Sequence, residues 1–385
     1  MRLTKLFSDF FESEKAGGFI LISCTVVSLM VANSPLQLPY IHLWHYNAAN
    51  QPLEYWINDG LMAIFFLLIG LELEREIYVG ELSAIQNAAL PVIAAIGGIL
   101  VPAAIHLLFN YNTPTRAGAG IPMATDIAFA IGILSIMGNR VPASLKVFLI
   151  ALAVIDDLGA IITIAVFYSK TIAFINLAIA ISIFIVLLVL NRLKVHNLIP
   201  YIIGGIAMWY FMLHSGIHAT VTGILLAFVV PFGNGGKQSP SYILQHFLHR
   251  PVSFFILPVF ALANTAIAIN TDWLKHITTP NNIGIFVGLT IGKPLGIVAF
   301  SFIAVLFGWA TLPRAIRWKH IIGIGLLGGI GFTMSIFITL LAFEGHALID
   351  ESKITVMFSS LIAAILGLTW LSITLKKQKK DINLV

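Results

Sequence analysis

Asp156 and Asp157 stand side by side in LIALAVIDDLGAIITIAVF, an otherwise apolar run from Leu149 to Phe167. An acid at the centre of a bilayer costs roughly 2.5 to 3.5 kcal/mol on insertion scales, so two together need a chemical reason. Carboxylates out of water demand counter-charge, which protons, metal cations or a buried base can supply, and the pair therefore reads as an ion or proton site. On a regular helix consecutive residues point about 100° apart, so the two cannot share one target unless the helix is distorted. One would face a cavity while the other meets a buried partner.

Three further places fit the same chemistry. Asp126 follows Thr125 in IPMATDIAFAIG, just beyond Pro122. A proline removes a backbone donor and disfavours helix at the preceding residue, which predicts a break around Ile121 to Thr125. Carbonyls freed there, with the Thr125 hydroxyl and the Asp126 carboxylate, are the oxygen ligands that hard cations such as sodium prefer, by analogy with calcium and magnesium. Lys293, in IGKPLGI, is the one basic residue deep in an apolar run; it must pair with Asp156 or Asp157, or give up its proton. Gly328, Gly329 and Gly331 interrupt another apolar run, GIGLLGGIGFTMSIF, and serve either close helix packing or a second broken helix.

The composition supplies the apolar segments that must hold these groups. Of 385 residues 58% are hydrophobic and 10% charged, against roughly 45 to 50% and 25% in a soluble domain. A span needs about 20 apolar residues, and such runs begin near Gly17, Ile57, Ala88, Gly120, Ala143, Ile172, Leu198, Gly216, Val252, Ile283, His320 and Ile354. The expected fold class is an all-α integral membrane protein of about twelve transmembrane helices. Residues 1–385 read as one membrane domain, with 376–385 as a basic cytoplasmic tail.

With an even number of spans both termini share a side. Most of the 22 lysines and arginines fall on that side, whereas Arg116, Lys170, Lys275 and Lys353 fall on the other. The positive-inside bias makes the termini cytoplasmic. The formal charge of +5 is thus a topology signal, and no nucleic-acid partner is needed to explain it. The first run, GGFILISCTVVSLMVAN, resembles the front of a signal peptide, but no small-x-small cleavage site follows and it counts as span 1. Cys24 is the only cysteine, so an intramolecular disulfide is excluded and a small buried thiol is expected.

The two interrupted runs are each the middle member of a three-span group, spans 3–5 and spans 10–12. Matched interruptions in two halves point to an inverted repeat with its site at the midplane. Opposed half-helix ends would carry opposite partial charges there, and Asp126 and Lys293 are placed to compensate them.

Polar residues also gather away from the midplane. Glu72, Arg75 and Glu76 end span 2 on the cytoplasmic side, with Glu72 and Glu76 four apart on one helical face. They form either a solvated helix end with an arginine at the headgroups or an acidic vestibule that concentrates cations. His218 opens span 8 near the outer surface beside Thr220 and Thr222, as a hydrogen-bonded structural residue or as a proton carrier. His246 and His249 are three apart but lack a further ligand at metal-binding spacing, and no metal site is expected from them.

Taken in order, GLELEREI (70–77), PMATDIAFAIG (122–132), VFLIALAVIDDLGAI (147–161), SGIHATVTGI (215–224), LPVFALANTAI (257–267), IGKPLGI (291–297) and GIGFTMSIFI (329–338) resemble the bacterial NhaA-type sodium/proton antiporters over nearly the whole chain. That family is itself a standard instance of the inverted-repeat pattern, so the repeat argument is not independent of the resemblance. The resemblance implies a multi-pass transporter of the bacterial inner membrane, neither an enzyme nor a cofactor protein, in which spans 4 and 11 are broken and cross at mid-membrane. It matches Asp156 and Asp157 to the cation-site pair that binds the transported Na+, Asp126 to the aspartate at the crossing and Thr125 to the neighbouring threonine. Lys293 matches the lysine paired with the first aspartate of the doublet. Glu72, Arg75 and Glu76 match the cytoplasmic funnel implicated in pH response, and His218 a residue that modulates it. Two positions depart from relatives of this family. Gln245 stands where relatives carry a glutamate before His246, and the loop of about Ser34 to Tyr55 is shorter than the one whose β-hairpin builds their dimer. A shortened hairpin is expected around NAANQP, which leaves a homodimer through this loop open.

The mechanism expected is competition of Na+ or Li+ with H+ for one set of carboxylates, the site being exposed to each side in turn. If Asp156 releases Lys293 and takes a proton, or if Lys293 itself carries one, more protons than sodium ions move per cycle and exchange is electrogenic. The runner-up is a proton-coupled symporter of a small neutral solute. An intramembrane aspartyl protease fits less well, because the chain lacks the glycine-flanked GxGD motif.

Overall fold

The computed structural model describes residues 5–168, 172–269, 276–313 and 316–376. In chain order the helices are α1 (Lys5–Ala32), α2 (Gln37–Trp44), α3 (Leu53–Tyr78) and α4 (Ile85–Asn110), then a 3-10 helix, Pro114–Met123, followed by α5 (Ile127–Ser135). Next come α6 (Ala143–Phe167), α7 (Phe174–Arg192), α8 (Ile199–Leu213), α9 (Val221–Val229) and α10 (Pro240–Asn264). Last are α11 (Pro280–Leu306), α12 (Trp318–Gly328), α13 (Phe332–Ala342) and α14 (His346–Lys376). The tail beyond Lys376 lies outside the described residues.

Among the described residues, 8 helices are long and apolar enough to cross a membrane, or 10 if each of two bent pairs counts as one span. The shorter apolar helices α8 and α9 occupy the places of expected spans 7 and 8. With 9 residues, α9 rises only about 14 Å, less than half of a hydrocarbon core. The loop after α2 forms the expected short hairpin: Asn47–Ala48 pairs antiparallel with Gln51–Pro52, and Ala49 and Asn50 turn the chain at positive φ. The Trp56 indole donates to Ala48 O at 2.8 Å and fastens the hairpin to the start of α3.

The helices gather into two compact units. One unit holds the described residues within Met1–Ser23, Ala84–Ala160 and Ile267–Val385. Its principal seam joins α4 to α11, where Gly97 and Gly296 face each other so closely that a Cβ on either would run into the other's carbonyl oxygen. Small residues let two membrane helices approach to backbone contact where apolar burial gives no driving force against lipid. The second unit holds Cys24–Ser83 and Ile161–Ala266. There α3 and α9 approach in the same way, Gly223 against Ala63 O and Gly70 against Ala227.

The two bent pairs both lie in the first unit and fall where the sequence predicts breaks. Pro114–Met123 and α5 meet at 43°, and α12 and α13 at 47°. In the first pair the chain is extended at Ala124 and Asp126, with ψ of 153° and 104°. In the second, Gly329 and Gly331 keep negative φ, so left-handed geometry is not why glycine stands there. Space is the reason: a Cβ on Gly329 would meet Leu289 O, and one on Gly331 would meet Ser335 Oγ.

Candidate functional site

The carboxylate pair lies midway along α6, which runs unbroken through it. Both acids are buried, Asp156 at 0% and Asp157 at 1% exposure. Lys293, also 0% exposed, brings its ammonium to 2.7 Å from Asp156 Oδ2. Thr125 donates its hydroxyl to the same oxygen at 2.6 Å, with Gly328 O as an alternative acceptor at 2.9 Å. Asp156 Oδ1 is buried and has no hydrogen-bond partner among the described residues. Asp157, the next residue, is directed about 100° away on a regular helix.

Lys293 also donates to the carbonyl of Met123, the last residue of the 3-10 segment. The ammonium thus meets both a carboxylate and the negative end of a half-helix. Asp126 serves the opposite ends. Its Oδ1 accepts from Phe129 N at 2.9 Å, capping α5. Its Oδ2 accepts from Thr333 N at 3.0 Å and from Thr333 Oγ1 at 2.5 Å, at the start of α13. One carboxylate therefore satisfies orphan donors on two helix N-termini, where negative charge is favoured. The breaks are tied further by Asp126 N donating to Ile330 O at 2.7 Å and Ser335 Oγ donating to Ile121 O at 2.6 Å. Pro122, Gly328, Gly329 and Gly331 line this junction as buried residues.

The residues singled out for pH response lie in the second unit. Glu72 is 7% exposed, with Oε1 3.7 Å from His249 Nδ1. A fully solvated helix end is thereby ruled out for Glu72. Arg75 places its guanidinium 4.9 Å from the centre of the Tyr242 ring, and Glu76 is half-buried beside Gly80. At the far end of the same unit the His218 ring hydrogen-bonds Tyr168 O at 2.9 Å through Nε2, a contact that ties the start of α9 to the end of α6. His246 stacks on Tyr242 at 5.9 Å. No group of three His, Cys, Asp or Glu among the described residues could hold a metal ion.

Several polar contacts were not legible in the sequence. Thr333 and Ser335 sit in the glycine-interrupted motif, but only its glycines carry a visible signal. Hydroxyls directly after a helix break are the clue that could have found them. Glu74, 5% exposed with Oε2 unpartnered among the described residues, is hidden by its solvent-like acidic neighbours in LELER. His249 gains its role only through Glu72, 177 positions away in the chain by numbering. The Met123 carbonyl belongs to the backbone and has no side-chain signature.

With this geometry in view, comparison with known proteins is direct. Residues 8–371 match the family model described as Na+/H+ antiporter 1. The chain is 62% identical over 379 residues to the protein named Na(+)/H(+) antiporter NhaA 1 of Flavobacterium johnsoniae, covering 98% of this chain and 100% of that relative. It is 60% identical over 377 residues to the Na(+)/H(+) antiporter NhaA of Cytophaga hutchinsonii, covering 98% of this chain and 97% of the relative. Among solved structures, the sodium proton antiporter MjNhaP1 from Methanocaldococcus jannaschii superposes with a TM-score of 0.54 at 16% identity, covering 96% of this chain and 100% of that one. At that identity the likeness concerns the fold.

The double contact of Thr333 to Asp126 yields a prediction. Thr333→Val removes the hydroxyl and leaves a buried carboxylate one donor short, a loss of about 1–3 kcal/mol. Thermal unfolding in detergent should therefore begin at lower temperature than for wild type, with Thr333→Ser close to wild type. Equal melting of Thr333→Val and wild type would remove this contact from the account of the crossing.

Proposed function

Because the chain belongs to the Na+/H+ antiporter 1 family, we propose that it exchanges sodium for protons with Asp156 and Asp157 as the shared seat of both ions. It is a transporter, not an enzyme. The observation that carries the assignment of the seat is the divided Asp156 carboxylate, with Oδ2 held by Lys293 and Thr125 and Oδ1 left open inside the protein. An oxygen in that condition must be satisfied by a proton or by a cation, and it cannot hold both.

The cycle follows from this competition. With Na+ in the seat, the carboxylates supply hard oxygen ligands, joined by the Thr125 hydroxyl. Protons arriving on the same oxygens expel it. If only the sodium-loaded and the proton-loaded forms change the side to which the seat opens, movement of one ion is coupled to that of the other. Li+, with the same charge and hard-oxygen preference, is a second cargo. The basic residues that crowd the side of the termini support a multi-pass arrangement in a bacterial inner membrane with both termini cytoplasmic. A C-terminal reporter active only outside the cytoplasm tests that orientation, and signal from it would reverse the assignment. Outward Na+ for inward H+ is the direction a sodium-loaded cell with an alkaline cytoplasm would need.

Asp156 and Lys293 make the exchange electrogenic. When the pair opens, the acid or the base is available for a second proton, so more protons than sodium ions move. Each net charge carried across gains roughly 2.3 kcal/mol per 100 mV. The cluster of Glu72, Arg75 and Glu76, with His249 beside Glu72, supports control by cytoplasmic pH, since histidine is the side chain that ordinarily changes charge near physiological pH. A neutral-solute symporter finds no support: the buried polar side chains that meet Asp156 and Asp126 are hydroxyls and an ammonium.

Three measurements test these assignments. In proteoliposomes with an imposed inside-acid pH gradient, sodium or lithium should collapse the gradient with wild type, whereas Asp157→Asn should leave it standing; sodium-driven collapse by the variant at the wild-type rate would move the seat elsewhere. Asp156→Asn should weaken or abolish the dependence of exchange rate on an imposed membrane potential. Unaltered voltage dependence with normal turnover counts against the second proton. Glu76→Gln should displace the pH profile of exchange while transport persists, and an unmoved profile returns Glu76 to a structural role.

A further inference from the structure

Helix α11 is not regular at the point where it delivers Lys293. Gly288–Gly292 form a turn of π-helix, and the Lys293 N–H donates to Gly288 O, five residues back. The next residue, Pro294, has no N–H to give. The groups that could reach Leu289 O from four or five residues on are those of Lys293 and Pro294; one is engaged and the other is missing. The hydrogen-bond ladder therefore slips by one residue just ahead of the Lys-Pro pair. The same happens in α10, where Val252–Ile256 form a π turn, Leu257 N donates to Val252 O and Pro258 follows. Thr290 in the first turn donates its hydroxyl to Phe286 O at 2.6 Å, a back-bond of the kind that bends helices. Phe254 stands at the equivalent place in α10, so the proline and not the hydroxyl is what the two turns share. A third π turn, Ile57–Leu61 in α3, has Ala63 at the corresponding position and a different origin.

The slip has a geometric consequence. Gly284, Gly288, Gly292 and Gly296 all pack on neighbouring backbone or side chains of the first unit. A Cβ on Gly284 would meet His106 and Asn110, on Gly288 Pro122 and Pro102, on Gly292 Ile105 and Pro102, and on Gly296 Gly97. Residues four apart on a regular helix drift by about 40° per step, or about 120° over three steps. An extra residue in one turn absorbs about 100° of that drift, so the glycines keep to one seam along α4 and Lys293 emerges beside it. The ammonium then reaches Asp156 Oδ2 and Met123 O.

We propose that Pro294 is a positioning residue for transport: by withholding a backbone donor it imposes the wide turn Gly288–Gly292, which aims Lys293 at Asp156. The inference rests on the assignment of the Lys293–Asp156 pair to the transport seat. Restoring a donor with Pro294→Ala lets the ladder close as ordinary α-helix, and one half of α11 must then rotate away from the seam or from Asp156.

The test sets Pro294→Ala beside Lys293→Gln and Pro258→Ala, each purified and reconstituted in proteoliposomes, with thermal unfolding in detergent as a second readout. Removing a proline from a helix interior should by itself preserve or raise the melting temperature. Pro294→Ala is expected to melt no lower than wild type yet to lose roughly tenfold or more in kcat/KM for sodium, as a misplacement of about 1 Å can do. Its pH profile should move in the same direction as that of Lys293→Gln, while Pro258→Ala keeps the wild-type profile. A folded Pro294→Ala protein with the wild-type pH profile overturns the proposal, as does an equal displacement by Pro258→Ala, which would indicate general loosening. Should Pro294→Ala fail to fold, Pro294→Ser restores the same donor and is read in the same way. Wild-type exchange by Lys293→Gln would overturn the seat assignment itself; a displaced profile for Lys293→Gln alone overturns only the role of Pro294.

Discussion

Two apolar helices broken part-way along their length leave backbone donors and acceptors that lipid cannot take, and every such group must be answered from within the protein. In the first unit this demand is met by two charged side chains. The Asp126 carboxylate answers the N-termini of α5 and α13 at once, and the Lys293 ammonium answers the carbonyl at the end of Pro114–Met123. Neither is an ordinary cap, because each also joins two spans. The small residues around them follow from the same demand. Gly329 must be small for α11 to approach through Leu289 O, and Gly97 and Gly296 must be small for α4 and α11 to meet.

On the proposed seat, charge balance gives the junction a way to move ions. Asp126 is largely accounted for by backbone donors and a hydroxyl. Asp156, Asp157 and the Lys293 ammonium are all at 1% exposure or less. With both acids ionised there is a surplus of one negative charge in a region that cannot hydrate it. One sodium ion or one proton removes the surplus, and a second proton taken up when the Asp156–Lys293 pair opens is carried as net charge. A site built to be neutral only when occupied favours exchange over leakage, since the empty, fully ionised form is the costly one.

The broad architecture was legible because it rests on patterns that the bilayer enforces. Apolar runs of span length gave the helices, and Pro122 and the Gly328–Gly331 interruptions gave both breaks. Lys293 could be matched to an acid because a lone buried ammonium has few solutions. What stayed hidden depends on register across distant segments. Nothing in the sequence near Thr333 says that it will face Asp126, more than 200 positions earlier. Glu72 and Glu74 look alike in LELER, yet one lies beside His249 and the other buries an Oε2 with no hydrogen-bond partner among the described residues. Nor does the stretch GLTIGKP announce that its helix carries an additional residue in one turn, because a proline marks a missing donor without saying how the ladder closes around it.

Thr125 shows how protonation of Asp156 can reach the helix break. A hydroxyl has one proton to give, and Thr125 has two acceptors within reach, Asp156 Oδ2 at 2.6 Å and Gly328 O at 2.9 Å. The two bonds cannot be made together. While Asp156 is ionised, the charge-assisted bond to Oδ2 is the stronger and takes the proton, so Gly328 O loses this donor. When Asp156 carries a proton of its own, it no longer needs the hydroxyl's hydrogen and can instead donate to the Thr125 oxygen. Thr125 is then released to bind Gly328 O and fasten span 4 to the end of α12. The ionic state of the carboxylate and the bonding between the two broken spans are therefore linked through one hydrogen atom.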